Sequence, residues 1–352
     1  MGITGPEGHY LSRRECVEAE ATHRVITIAE NANVPLYIVH LMSRDSSEEV
    51  MRAKNKGLLV YGETLASTIG TDGTKLWDPD WDVASRYVMS PCLSPDPTTK
   101  TQIMKYLNSG VIDVVGTDNC TFCTEQKQLG RNQFNKIPNG VNGLEDRLSV
   151  VWTKGVKAGL LSENQFVDSV STKAAKIFNL FPRKGIIRAG ADADICIWDP
   201  DYKRIISAKT HHQKVDYNVF EGMEVSGKAM YTFSNGNLVW KNGEFFNQHK
   251  GKYLQRKPFG FVYGRHANWT KANDPLNFKV DRSPEAVERA KNPQKAEIEK
   301  LKAELQQVRE ERDKLLSQSK QSEDPSKHFD AKDGQFVDTY EALREYLPSK
   351  VF

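Results

Sequence analysis

The sequence predicts an α/β protein: a parallel sheet of βαβ units, then a small β region, then a charged helical tail. Three observations lead there. Within the first 180 of 352 residues, short apolar runs alternate with stretches of helical period, the pattern of parallel strands joined by crossover helices. Residues 186–247 instead hold brief apolar runs separated by Asn-Gly turns. Residues 285–352 are 41% charged against 24% before them, and all six tryptophans precede residue 285.

Taken in order, Arg13–Asn31 carries Val17, Ala21, Val25, Ile26, Ile28 and Ala29 on one helical face, and Asn33 and Pro35 end it. Leu36–Val39 reads as a strand buried on both faces. Ser46–Lys56 predicts a helix, Leu58–Gly62 a second buried strand, Thr98–Asn108 a helix and Val111–Gly116 a third strand. Leu144–Gly155 and Ser162–Leu180 predict two more helices, and Ser162 with Gln165 fits a capping box. In the β region, Ile195–Trp198, Arg204–Ile206, Ala229–Phe233 and Leu238–Trp240 are too short for helices. Ser234-Asn235-Gly236-Asn237 and Lys241-Asn242-Gly243-Glu244 are hairpin turns.

The predicted domains are 1–183, 184–247, a surface arm over 248–284 and the tail 285–352. In the tail, Ile298, Leu301, Leu305, Val308, Arg312 and Leu315 fall at heptad a and d spacing, with one Arg among them. The helix expected over 295–318 is short for a coiled coil, so a solvated helix and an oligomerising one both stay open.

Composition excludes several classes. No apolar run reaches the ~18–20 residues of a membrane span, and residues 1–20 hold Glu7, Arg13, Arg14 and Glu15 with no apolar segment, so no signal peptide is expected. Pro6 sits where a myristoylation motif wants Ser or Thr. Five cysteines in this length are no disulfide scaffold, which makes a cytoplasmic setting the expectation. Net charge is +3, too little to argue for nucleic acid.

Candidate chemistry sits at strand ends, where a rigid sheet can hold a ligand or base. His40 follows Leu36–Val39, and Asp118 follows Val111–Gly116. Alone, such a His is more often a hydrogen-bonded loop residue, and such an Asp a turn residue. Cys120-x-x-Cys123 lacks a second pair, so buried or inert thiols are the expectation there. His211-His212 reads as a surface pair in a polar loop, and Gly140-Val141-Asn142-Gly143 as a loop without a phosphate-binding pattern.

Several motifs together resemble the hydantoinase/dihydropyrimidinase family of amidohydrolases. They are Gly5–Arg13, Ser90-Pro91-Cys92-Leu93-Ser94-Pro95-Asp96, Gly116-Thr117-Asp118-Asn119-Cys120-Thr121-Phe122 and Ile137–Arg147. Ala174–Leu180, Gly190-Ala191-Asp192-Ala193-Asp194 and Trp198-Asp199-Pro200 also match. The resemblance covers about residues 3–265. It implies a metal-bearing TIM (β/α)8 barrel, here partial, plus a β-sandwich part, and an enzyme that opens cyclic amides such as dihydrouracil, dihydrothymine or hydantoins. It implies two zinc ions sharing a bridging water whose pKa they lower. By the same resemblance His40 is a metal ligand, and Asp118 is both a metal ligand and the catalytic base. Ser90 and Asn139 hold the ring through main-chain groups. A homotetramer is implied, with Gly251–Tyr263 resembling the family's C-terminal arm.

The family's His-x-His pair, carboxylated lysine, further histidine and substrate-contacting tyrosine lie upstream of the matching region. His9 replaces none of them. The expectation is therefore an N-terminally truncated member, a partial barrel of three or four strands with little or no activity alone. The rival reading is a non-catalytic protein of the collapsin response mediator type, whose pattern replaces the aspartate motif and the histidine. Thr117-Asp118-Asn119, His40 and Pro138-Asn139-Gly140 favour the enzyme lineage.

Overall fold

The computed structural model describes residues 2–246, 251–258, 260 and 280–321. The chain divides into two units, Met1–Pro275 and Leu276–Phe352. Most of the expected arm at 248–284, and the tail beyond residue 321, lie outside the described residues.

The first unit begins with α1 (Glu7–Ser12) and α2 (Glu15–Ala32). Asn33 ends α2 in the left-handed conformation, φ 53°, with its N–H donating back to the helix carbonyls. Then come β1 (Leu36–Ile38), α3 (Arg44–Asn55), β2 (Val60–Leu65) and α4 (Ala66–Gly70). After α5 (Trp81–Ser85), α6 (Thr99–Ser109) leads into β3 (Val114–Gly116). The three strands form one parallel sheet in the order β1-β2-β3, with Leu36 opposite Val60 and Leu65 opposite Gly116. Ile26, Val50, Ala53, Ile103 and Leu107, on the inner faces of α2, α3 and α6, join Val60, Leu65 and Val115 in the core. Beside the sheet, the buried Asp113 accepts from the Gly62 N–H at 2.9 Å and pairs with Lys54 at 2.6 Å.

Two expectations need correction. β1 is not buried on both faces: Leu36 and Tyr37 are half-buried and Val39 is 47% exposed. It lies at the edge of the described sheet, a position that an apolar run does not encode. The second strand starts at Val60 and continues past Gly62 to Leu65, so that Glu63 lies inside it.

After the short α7 (Thr124–Lys127), α8 (Arg147–Val151) runs on through a π-helical stretch, Trp152–Lys157. This helix starts three residues later than its apolar pattern, because Gly143 has φ 124° and Leu144 stays exposed. Next, α9 (Glu163–Val167) and α10 (Lys173–Ile177) are joined by a π-helical stretch, and Ser162 with Gln165 forms the expected capping box.

A four-stranded antiparallel sheet follows, in the order β4 (Ile195–Ile205), β5 (Glu224–Ser234), β6 (Asn237–Lys241), β7 (Glu244–Phe245). Ile195–Trp198 and Arg204–Ile205 belong to one strand, interrupted by register shifts around Asp199–Lys203. Asn235 and Gly236 (φ 48° and 80°), and Asn242 and Gly243 (φ 44° and 107°), turn the two hairpins. Positive φ at both central residues is the type I′ requirement that Asn-Gly meets.

This sheet is fastened to the rest of its unit by buried polar groups. Asp146 accepts from Arg204 at 2.8 Å and from Asn218 at 2.7 Å. Asn142 donates to the Tyr217 carbonyl and accepts from the Val219 N–H. Trp152 and Trp198 meet edge to face, with centroids 5.8 Å apart. In the second unit, α11 (Pro284–Lys291) precedes α12 (Pro293–Gln321).

Candidate functional site

His40 and Asp118 occupy matching places. Each lies two residues beyond the C-terminal end of a parallel strand, β1 and β3 respectively. Both are left-handed, with φ 43° and 45°. That conformation is uncommon outside glycine and clusters at functional sites.

The segment after His40 is held tightly. The Leu41 N–H donates to the Glu63 carbonyl at 2.6 Å, and the Thr64 hydroxyl donates to the Leu41 carbonyl at 2.8 Å. The Met42 N–H donates to the Glu18 carboxylate at 2.7 Å, as does the Ser46 hydroxyl at 2.9 Å. Ser43 then caps α3 by accepting from the Ser46 N–H. The Glu18 residue is half-buried but its carboxylate end is enclosed, and burial pushes its pKa up to about 7 against those hydrogen bonds.

His40 and Ser90 both line one apolar cleft of about 370 Å³, together with Arg13, Glu18 and Val39. Arg13 donates to the Ser90 hydroxyl at 3.2 Å. Asp118 and Asn139 are not among its lining residues; both are exposed. Their loops meet each other instead: the Cys120 N–H donates to the Val141 carbonyl at 3.0 Å.

Lys127, at the end of α7, joins these pieces. Its side chain is fully buried, and its ammonium donates to the carbonyls of Val88 (3.1 Å), Pro138 (2.6 Å) and Gly140 (2.7 Å). Those carbonyls flank Asn139 and lie two residues before Ser90. The Gly140 N–H also donates to the Val88 carbonyl at 3.0 Å. Burial lowers the Lys127 pKa to about 7. Gly140 itself has φ 145°, and a Cβ there would stand 2.5 Å from the Cys120 carbonyl oxygen.

Sequence reasoning missed both Lys127 and Glu63. Glu63 accepts from the Tyr37 hydroxyl at 2.7 Å. Its carboxylate lies where a side chain on Gly116 would stand, with Cδ 2.9 Å from such a Cβ. Hydrogen bonding to that carboxylate and burial both hold the Tyr37 phenol well above its ordinary pKa, burial being the larger cause. A charge within an apolar strand run was the available signal for Glu63. Lys127, in a polar stretch, had none.

The cysteine and histidine pairs both lie near the surface. Cys120 is exposed and Cys123 half-buried, so the pair is not a buried one, and both are free thiols. His212 is exposed, as the surface reading expects, and there it pairs with Glu145 at 2.7 Å and packs edge-on against Trp240 and Phe245.

His40 and Asp118 are of metal-ligand type. Among the described residues, however, no group of three or more His, Cys, Asp or Glu is placed to hold a metal ion. The described residues therefore do not by themselves fit the two-zinc centre that the resemblance implies.

The amidohydrolase family profile matches residues 17–239, more than half of the chain. The chain belongs to the amidohydrolase family. Within that family it is 54% identical over 267 residues to a dihydropyrimidinase of Rattus norvegicus, covering 75% of this chain and 51% of that protein. It is 48% identical over 296 residues to a dihydropyrimidinase of Dictyostelium discoideum, covering 84% and 59%. Among solved structures, a D-hydantoinase (dihydropyrimidinase) from Thermus sp. superimposes with a TM-score of 0.71 at 42% identity, over 74% of this chain and 56% of that one. The chain thus spans about half the length of the curated relatives it matches. The amidohydrolase fold accounts for the parallel sheet with its helices; among the described residues that sheet does not close into a barrel. No helix among the described residues is long and apolar enough to cross a membrane.

Proposed function

We propose that this chain carries part of the active site of a dihydropyrimidinase-type hydrolase, one that opens 5,6-dihydrouracil or dihydrothymine to the N-carbamoyl β-amino acid. The observation that carries this reading is the paired placement of His40 and Asp118, left-handed, just past the C-terminal ends of two parallel strands of one sheet. In barrels of this kind, catalytic groups gather on that face. The names of the relatives supply the substrate class.

In this reading Asp118 is the general base. Its carboxylate takes a proton from the attacking water as the oxygen bonds to the ring carbonyl carbon. It then gives that proton to the ring nitrogen as the C–N bond breaks, leaving a carbamoyl NH2 and a carboxylic acid that loses its remaining proton to solvent to become the carboxylate. Ser90 and Asn139 orient the ring through main-chain groups, and Lys127 keeps their two segments in register. His40 is the second metal-ligand residue. Zinc takes three or four protein ligands, and two are available here, so no step is assigned to a metal. The family's tetrameric assembly and a cytoplasmic setting complete the proposal. The mediator-type rival is disfavoured because His40 and Asp118 are both retained.

The test joins this chain to the upstream half of the rat relative and measures dihydrouracil opening by loss of ultraviolet absorbance. The joined protein should turn over. Asp118→Asn should lower kcat by about 10²–10⁴-fold, the span typical of a lost general base. Near-normal turnover in Asp118→Asn removes the assigned role.

A further inference from the structure

We propose that α12 pairs with α12 of a second copy of this chain as a parallel, in-register two-stranded coiled coil. The inference stands on the tail alone and does not depend on the proposed activity. The helix runs 29 residues, Pro293–Gln321. Its apolar positions are exposed among the described residues: Ile298 is 53% exposed, Leu301 59%, Leu305 52% and Val308 62%. Four large side chains repeating at 3-4-3 spacing make a stripe, and such a stripe is stable only against another helix.

The flanking charges say which helix. With Ile298 and Leu305 at a, and Leu301 and Val308 at d, the g positions are Glu297, Glu304 and Glu311. The e positions are Lys295, Lys302 and Arg309. Over residues 295–311 every g is acidic and every e is basic; the next e and g, Leu316 and Gln318, are uncharged. In a parallel pair, a g residue faces the e′ residue five positions later on its partner. Glu297 then meets Lys302 of the other copy, and Glu304 meets Arg309, in both directions across the seam. In an antiparallel pair, g faces g′ and e faces e′, which sets carboxylate against carboxylate and cation against cation. The pattern is therefore self-complementary in one orientation only.

Arg312 takes the third a position. A polar residue at one a position lowers stability but fixes register and strand number. Among the described groups, Glu304 is engaged within its own helix only by Lys300, at 3.8 Å on an exposed surface. So weak a pair yields readily to an interhelical one.

The experiment is sedimentation equilibrium on the full 352-residue chain and on two charge variants. One carries Glu297→Lys with Glu304→Lys. The other carries Lys302→Glu with Arg309→Glu. All four positions are exposed on α12, so neither variant disturbs the fold of the first unit. Wild type should self-associate. Each variant alone should dissociate at least about tenfold more readily, since attraction becomes repulsion at four cross-helix pairs. An equimolar mixture of the two should regain wild-type association, because each then supplies the charge the other lacks. The proposal is overturned by a monomeric wild type, by variants that associate as wild type does, or by a mixture no tighter than its components.

Discussion

Lys127 puts an ammonium inside the protein and answers it with three carbonyl oxygens. An amine buried this way titrates near 7 rather than at its ordinary 10.5. Below about 7 the folded chain bears the full cost of the enclosed charge. As pH rises from about 7 towards 10.5, the folded amine is neutral while the unfolded one still binds a proton, and stability from this group rises. Thermal melts of wild type and Lys127→Met should therefore diverge with pH, wild type gaining most between pH 7 and 10. A constant difference across that range removes the assigned protonation. Near pH 8 the neutral amine can donate to two of the three carbonyls, and losing those hydrogen bonds should cost Lys127→Met about 2 kcal/mol by urea denaturation. Lys127 also shows what a sequence withholds at this scale. Its partners lie 11, 13 and 39 positions away, and no local pattern announces them. The strand-end places of His40 and Asp118 were legible from the apolar runs before them, but their proposed roles came only from the family resemblance.

At the scale of elements, the loops matter more than the strands they follow. The strand runs, the Ser162–Gln165 capping box and both Asn-Gly hairpins were readable because each depends on residues within a few positions. What could not be read was which strand stands at an edge. Edge position depends on topology, and β1 carries the same kind of apolar run as a central strand. The Pro138–Gly143 loop is the clearest case of an element set by backbone contact. Gly140→Ala asks a left-handed backbone to carry a side chain against the Cys120 carbonyl. We expect a loss of about 2 kcal/mol or more in urea denaturation. Hydrogen exchange should show the change concentrated in residues 118–122 and 136–143. A fall of under half that amount refutes the tight-contact account.

At the scale of the first unit, the antiparallel sheet is tied to the preceding helices by hydrogen bonds from Ser149, Trp152 and Thr153 to β4 and β5, and by two buried polar residues before them. Asp146 bonds Arg204 and Asn218, and Asn142 bonds two backbone groups of the Tyr217–Val219 segment. Asn142 and Asp146 both fall within Ile137–Arg147, a motif that the sequence ties to the site through Asn139. The same short stretch thus holds the residue proposed to orient the substrate ring and two residues that fasten the antiparallel sheet. Asp146→Ala leaves Arg204 without its carboxylate partner and should cost about 3–5 kcal/mol. If the two sheets unfold together because of this contact, the variant should melt in two steps by calorimetry where wild type melts in one. A single transition at unchanged temperature shows the coupling to lie elsewhere.

The left-handed backbone at His40 and Asp118 has a consequence for selection. Glycine adopts that conformation without strain. His40→Gly and Asp118→Gly should each hold or raise the melting temperature, by an amount on the order of 1 kcal/mol of relieved strain, while discarding the side chain to which we assign the chemistry. A laboratory population screened for heat resistance alone would drift towards glycine at these two positions and lose both proposed site residues without any sign of damage to the fold.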